Sequence, residues 1–237
     1  MEEILLYGLR QDGRRVGELR DIAIDFGVVD ADGSASFKIG NTHVVAFVHG
    51  PKQAKKEKDL GQIFCYFTTA HFAAIGERRR ATRGDKKSAE FESNVKGMFE
   101  SCVLKENIPH SDIEVHIVVL QDDGSVESAS INAVSLALVD AGVPMKEMIV
   151  SCSSGYFKNT PLLDLTHAES SSFSVISEFR VAVLSRTQSL AYVNYDDIGG
   201  HKLTPEVVRE VTEIAVEGCK SIHFLMRQKL LDFYQQI

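Results

Sequence analysis

The densest set of side chains able to grip a phosphate lies between Glu77 and Glu90. There Arg78, Arg79, Arg80, Arg83, Lys86 and Lys87 stand against three acids, Glu77, Asp85 and Glu90. Arginine offers a planar fork that meets phosphate oxygens two at a time, and cations just ahead of a helix act together with its unpaired amides. The same run also reads as a solvated face. A second candidate is Gly124-Ser125 in LQDDGSVES, a tight turn whose amides could cup an anion. Asp122, Asp123 and Glu127 beside it would repel phosphate unless they held a metal. A third is DLTHAESSSFSVISEF, residues 164 to 179, which lies between two apolar runs and is poor in acids, with only Asp164, Glu169 and Glu178. The eight histidines show no H-E-x-x-H spacing and read as structural or surface residues; no nucleophile elbow, Walker loop or dinucleotide fingerprint is present.

These residues must be held by regular elements, and the pattern supplies them. IAIDFGVV, SASFKI and HVVAFVHGP read as a three-stranded antiparallel meander, with Asp32-Gly33 and Gly40-Asn41 as its turns. The strand IFCYFTTAHF leads into the basic run. Ser88 to Lys105 reads as a helix, with Phe91, Val95, Met98, Phe99, Cys102 and Val103 as an apolar stripe. After the strand IEVHIVVL comes SINAVSLALVDAGVPM, apolar nearly all round and closed by Gly142 and Pro144, which predicts a buried helix. EMIVSCSSGYF, PLLDL, SEFRVAVLS and SLAYVNY read as further strands. Thr204-Pro205-Glu206 opens a long C-terminal helix with Pro at its first position, about 45 Å long if it runs to Phe233.

A chain of 237 residues, 44% hydrophobic and 25% charged, can bury a substantial core and is not of disordered type. No apolar stretch approaches the roughly 20 residues that span a bilayer, and no secretory signal is visible, so no membrane partner is expected. Cys65, Cys102, Cys152 and Cys219 are widely spaced and read as reduced core thiols. A net charge of −7 argues against a protein that coats nucleic acid everywhere, but a local basic patch can still steer a polyanion.

Several phrases, in order along nearly the whole chain, resemble one family. DGRRVGELRDI, ADGSASFKIGNTHVVAFVHGP, ERRRATRGDKKSAEFESNV, VLQDDGSVESASINAVSLALVDAGVPM and SCSSGYFKNTPLLDL are similar to the RNase PH family of phosphorolytic exoribonucleases, in particular to its members in the exosome core ring. The resemblance implies an α+β, RNase PH-like fold (ribosomal protein S5 domain 2-like), two β-then-α halves packed together as a single domain over 1–237. In active members, inorganic phosphate attacks the 3′-terminal phosphodiester of RNA and releases nucleoside diphosphates. An arginine pair at a helix start and a Gly-Ser/Thr turn hold the phosphate. Two aspartates six positions apart bind a divalent ion or assist proton transfer.

Carried over position by position, the resemblance puts the arginine pair on Lys86 and Lys87, which keep charge but lose the fork. The phosphate turn falls on Gly124, Ser125 and Val126, where Val126 replaces a hydroxyl residue, and Glu127 stands where a basic residue is common. The first aspartate falls on Ser170. The second falls on Ile176 by counting six onward, or on Glu178 when aligned backward from VAVLS. Glu169, next to Ser170, is expected on the opposite face of an extended segment. Loss of one member of a cooperating set commonly costs several orders of magnitude in rate.

The expectation is therefore a non-catalytic RNase PH-like subunit of the exosome core ring, with no catalytic residue and a vestigial phosphate site at Lys86, Lys87, Gly124 and Ser125. It would bind RNA through Arg78, Arg79, Arg80, Arg83, Lys86 and Lys87 and guide it for 3′-to-5′ processing by an associated hydrolytic nuclease. Its partners would be other RNase PH-like subunits in a six-membered ring and S1/KH-domain cap subunits, in nucleus, nucleolus and cytoplasm. No cofactor or metal is expected. The alternative is an active phosphorolytic exoribonuclease using Mg and inorganic phosphate, with Glu178 and Glu169 or Asp164 standing in for the aspartates. A third reading is a scaffold whose basic loop binds an acidic protein.

Overall fold

The computed structural model describes residues 9–54, 60–73, 86–157, 160–172, 177–197 and 204–235. Alternating burial along the strands and an all-round apolar helix set the architecture. Strands β1 (Ile22–Phe26), β2 (Gly33–Ile39), β3 (Thr42–Gln53), β4 (Gln62–Thr69) and β5 (Ser111–Gln121) form one five-stranded sheet, in the order β1-β2-β3-β5-β4. The first three make the predicted antiparallel meander, while β4 runs parallel to β5 and is joined to it through helix α1 (Lys86–Cys102). The α1 stripe lands as the sequence predicts, with Phe91, Val95, Met98, Phe99 and Cys102 buried, although the helix starts two residues earlier, at Lys86. Strand β4 is a sheet edge, and α1 covers part of it: Glu92 accepts the backbone N–H of Phe67 at 2.8 Å. Phe91 meets the ring of Phe67 edge-on.

Helix α2 (Val126–Asp140) is buried at every position from Ser128 to Leu138, the predicted core helix. It packs on β2 and β3 on one side and on β6 (Ile149–Phe157) on the other, so one continuous core joins both halves. Asn132 and Ser135 pair it to β6. Asn132 donates to Ser151 O at 2.9 Å and accepts Ser151 N–H at 2.8 Å, and the Ser135 hydroxyl donates to Ile149 O. These bonds satisfy buried donors and fix which face of the helix meets which sheet. Gly33 corrects one reading: it is the first residue of β2, not a turn residue. A Cβ there would lie 2.3 Å from Ala141 N, so the missing side chain lets the end of α2 approach the sheet. Gly40, at φ 55, does make the expected turn.

The second sheet, order β7-β6-β8-β9, adds β7 (Thr160–Leu163), β8 (Ser177–Leu184) and β9 (Leu190–Asp197). Helix α4 (Pro205–Gln235), about 46 Å long, lies over it with Val211, Ala215, Cys219, Ile222 and Met226 buried. All four cysteines are buried and free, and burial pushes the thiols of Cys65 and Cys219 up to about 12. No described helix is long and apolar enough to cross a membrane.

A buried ion network ties the N-terminal segment to the second half. Asp164, at a left-handed φ of 53, accepts from Arg20 Nε at 2.8 Å and Nη2 at 2.7 Å, from the Arg20 backbone N–H at 3.1 Å and from Arg14 at 3.3 Å. Five residues on, the fully buried guanidinium of Arg10 clasps both oxygens of Glu169 and donates to Leu163 O and Asp164 O. Burial by itself would raise the Asp164 pKa; the hydrogen bonds and charge of Arg20, then the charge of Arg14, hold it below the ordinary value. A buried ion pair is costly to break because it leaves the partner charged and unmatched.

Asparagine tolerates the left-handed backbone at this position, so Asp164→Asn removes charge with little change of shape. It is expected to destabilise the fold by about 3–5 kcal/mol at neutral pH. Because the folded-state pKa lies below the ordinary 3.8, the carboxylate's contribution is full above that value and is lost as pH falls through the lowered one. Urea midpoints of parent and variant should therefore converge in acid; a gap that stays constant with pH would contradict this role.

Candidate functional site

Four segments carry the residues assigned to the site: the start of α1, the turn before α2, the short helix α3 (His167–Ser172), and the start of β8. Arg78, Arg79, Arg80, Arg83 and Ile176 lie outside the described residues. Lys86 and Lys87 form the exposed first turn of α1, which contains no acid. Two lysines there run against the helix dipole, whose positive end they share, an arrangement relieved when an anion binds.

The Gly124-Ser125 turn is built by close approach. At φ 85, a Cβ on Gly124 would lie 2.6 Å from Leu165 O and 2.8 Å from His167 N, so the chain ahead of α3 crosses against bare backbone. Thr42 Oγ1 donates to Gly124 O at 2.7 Å, and Arg20 Nη1 donates to Asp123 O at 2.8 Å. Ser125, at φ 59, caps no amide of α2 with its side chain. Its hydroxyl is buried, 2.9 Å from Asp164 Oδ1 and in contact with Ser153 Oγ and Leu165 O. The hydroxyl that would meet a phosphate is thus committed to the Arg20–Asp164 network. Two amides of the turn are also engaged, Asp123 N–H donating to Thr42 Oγ1 and Gly124 N–H to Asp122 Oδ1, both at 3.1 Å.

Segment 164–172 differs from its sequence reading. It is helical from His167, not extended, because Thr166 and Glu169 form a capping box. Glu169 Oε2 accepts the Thr166 N–H at 2.9 Å, and Thr166 Oγ1 accepts the Glu169 N–H at 3.3 Å. The T-x-x-E pattern was present in the sequence as the signal for it. Glu169 therefore faces inward to Arg10 by helical geometry rather than by strand alternation, and Ser170 stands partly exposed beside it. Burial would raise the Glu169 pKa, but Arg10 and the Thr166 amide hold it below the ordinary range. Asp164 and Glu169, two of the three stand-ins of the active alternative, are both bound to arginines in the interior.

Glu178 keeps a carboxylate at the start of β8 but also has a partner. Arg180, two residues along the same face, lies with Nη2 3.3 Å from Glu178 Oε2. Its Nη1 is 3.2 Å from Glu127 Oε1 in the first turn of α2 and 2.9 Å from Asp196 Oδ2 on β9, directly across from Glu178. Burial works against the charge of Arg180, but Glu178, Glu127 and Asp196 together hold its pKa above the ordinary value. Burial, reinforced by Glu178 and Asp196, raises that of Glu127, while Arg180 and Lys87 oppose it. Among the described residues, Glu127 Oε2 is buried without a hydrogen-bond partner. Lys87 acts on Glu127 through its charge, which brings the start of α1 to this cluster. The Asn94–Tyr192 hydrogen bond, at 3.1 Å, fastens α1 to β9 nearby. Arg180 and Asp196 were absent from the sequence-based site, although the i, i+2 spacing of Glu178 and Arg180 on a strand places them on one face.

The divalent ion that the family resemblance implies does not fit these residues. Ser170 offers a neutral hydroxyl, and each carboxylate of the cluster already faces the Arg180 guanidinium. Among the described residues no group of three or more His, Cys, Asp or Glu is placed to hold a metal.

Comparison with known proteins agrees with the fold. Residues 18–144 match the RNase_PH model, described as the 3′ exoribonuclease family, domain 1. The chain is 40% identical to the exosome complex component RRP41 homolog of Arabidopsis thaliana, covering 100% of this chain and 98% of that one. It is 35% identical to exosome complex component RRP41 of Homo sapiens, over 92% of this chain and 89% of the relative. Among solved structures, rice Rrp46 superposes with a TM-score of 0.80 at 26% identity, over 94% of this chain and 100% of that chain. A chain of the Archaeoglobus fulgidus exosome with RNA bound to the active site gives 0.77 at 23% identity, over 94% and 92%, a likeness of fold. With the five-stranded and four-stranded sheets packed about one core helix, and matches that run the length of the chain, the protein belongs to the RNase PH family.

Proposed function

We propose that the chain is a non-catalytic RNase PH-like subunit of an exosome core ring that guides RNA toward an associated nuclease. Membership of a ring rests on relatives named as exosome components, at 40% identity in Arabidopsis thaliana and 32% in Archaeoglobus fulgidus, each matched along the full chain. The observation that carries the non-catalytic reading is that each acid that could stand in for the missing aspartates is paired with an arginine. Asp164 and Glu169 are paired to Arg20 and Arg10, Glu178 is paired to Arg180, and Ser170 has no charge to give. The phosphate turn is altered in the same sense, its serine hydroxyl directed inward and its first helical turn carrying Glu127. A phosphorolytic step needs an acid or metal at the scissile oxygen beside positive groups on the phosphate; among the described residues the candidate acids are taken up by arginines, which supports the non-catalytic reading.

Glu178 favours an active subunit, since a carboxylate survives at a position the resemblance gives to an acid. Purified full-length chain, alone and with an RNase PH-like partner, is expected to release no nucleoside diphosphate from RNA in the presence of inorganic phosphate and Mg2+. Phosphate-dependent release that Glu178→Gln abolishes would establish the active reading instead.

The guiding role rests on the basic run and on Lys86 and Lys87, exposed where the dipole of α1 favours an anion. Contacts of this kind are made to the backbone and are sequence-independent. Lys86→Ala/Lys87→Ala, and separately alanine at Arg78, Arg79, Arg80 and Arg83, are expected to weaken single-stranded RNA binding for every sequence tested. Each cation removed from a phosphate should flatten the slope of log affinity against log salt by roughly 0.7. Affinity and slope unchanged in both variants would remove RNA guidance and favour a scaffold that binds an acidic protein.

A further inference from the structure

Three carboxylates from three different elements converge on one cation. Glu127 comes from α2, Glu178 from β8 and Asp196 from β9; their oxygens lie 2.9 to 3.3 Å from the two terminal nitrogens of Arg180. Without that guanidinium, three negative charges, those of Glu127 and Glu178 partly buried, would lie close together, with Lys87 acting on Glu127 through its charge. Buried like charges are not tolerated without a cation between them. Oxygen donors of this kind, gathered from several elements, are what a hard divalent ion takes, at about 2.0 to 2.6 Å. At 2.9 to 3.3 Å these are ion-pair distances, longer than coordination bonds, and among the described residues no group is placed to hold a metal. The unpartnered Oε2 of Glu127 shows that five guanidinium donors do not fully satisfy the set.

We propose that Arg180 is a tethered cation that does in this chain the charge-neutralising work of a bound divalent ion, and so keeps Glu127, Glu178 and Asp196 closed to metal. The consequence is a cluster whose charge balance is independent of Mg2+ supply and which binds no ion in the native protein. Removal of the guanidinium should expose a latent divalent-cation site. The proposal rests on the non-catalytic reading of the same region, but its readout is metal binding and not RNA cleavage, so either can fail without the other.

The test uses full-length chain, with Mn2+ as probe, followed by its paramagnetic resonance signal and by thermal unfolding. The parent should neither bind Mn2+ at this cluster nor gain stability from it. Arg180→Met, which keeps apolar bulk and loses charge, should gain Mn2+ binding that the parent lacks and should melt higher with the ion than without. Adding Glu178→Gln to that variant should abolish the gain, and Arg180→Lys, which keeps a cation, should not show it. If Arg180→Met folds only when Mn2+ is present, the proposal stands. It is overturned if the parent binds Mn2+ as tightly as the variant, if the folded variant gains no binding, or if it fails to fold with and without the ion.

Discussion

The Asp164 carboxylate is the interaction on which the rest depends. It is almost fully buried, so its charge has to be met by charge, and Arg20 and Arg14 meet it from a segment about 150 residues earlier. Around that pair the chain assembles: Ser125 turns in to the same carboxylate, Arg20 reaches the carbonyl of Asp123, and His167 N–H reaches Asp123 O to start α3. The pair thus fixes the turn ahead of α2 and the segment that follows β7 relative to one another. It also commits the Asp164 carboxylate to structure. A carboxylate held deprotonated by two arginines, out of contact with water, can neither exchange a proton near neutral pH nor turn to a ligand.

Much of this was legible in the sequence. The meander, the apolar stripe of α1 and the all-round apolar α2 follow from two periods, and each appears where its period put it. What was not legible depends on long-range partners or on local hydrogen bonds that override the apolar pattern. The bonds from Arg10 to Glu169 and from Arg20 to Asp164 join residues 159 and 144 apart, and no local spacing encodes them. Gly33 looked like a turn glycine because it follows Asp32; its reason is the nearby backbone of Ala141, which only the packed structure supplies. The helix at His167 was hidden by a run of serines, poor helix formers, and is carried by the Thr166–Glu169 reciprocal cap.

The site shows the same division. Which residues differ from the family pattern could be read position by position: Lys86, Lys87, Val126, Ser170. Which cations answer the remaining acids could not, since Arg180 meets Glu127 and Asp196 only through the packing of α2 and β9 against β8. Net charge hides this arrangement. The chain is acidic overall, yet the buried acids Asp164 and Glu169 are each met by arginine, while the exposed cations at the start of α1 are left without acids in the same turn. Interior charge here is matched within the fold, whereas the cations at the start of α1 are exposed.

The cover that α1 places on β4 has a consequence for assembly. A bare outer strand invites any extended chain to zip onto it, and crowded rings of related subunits offer many such chains. Because the carboxylate of Glu92 already occupies the outward amide of Phe67, an intruding strand would first have to strip away a charge-assisted bond. At this point the outer strand of the sheet is blunted against strand addition.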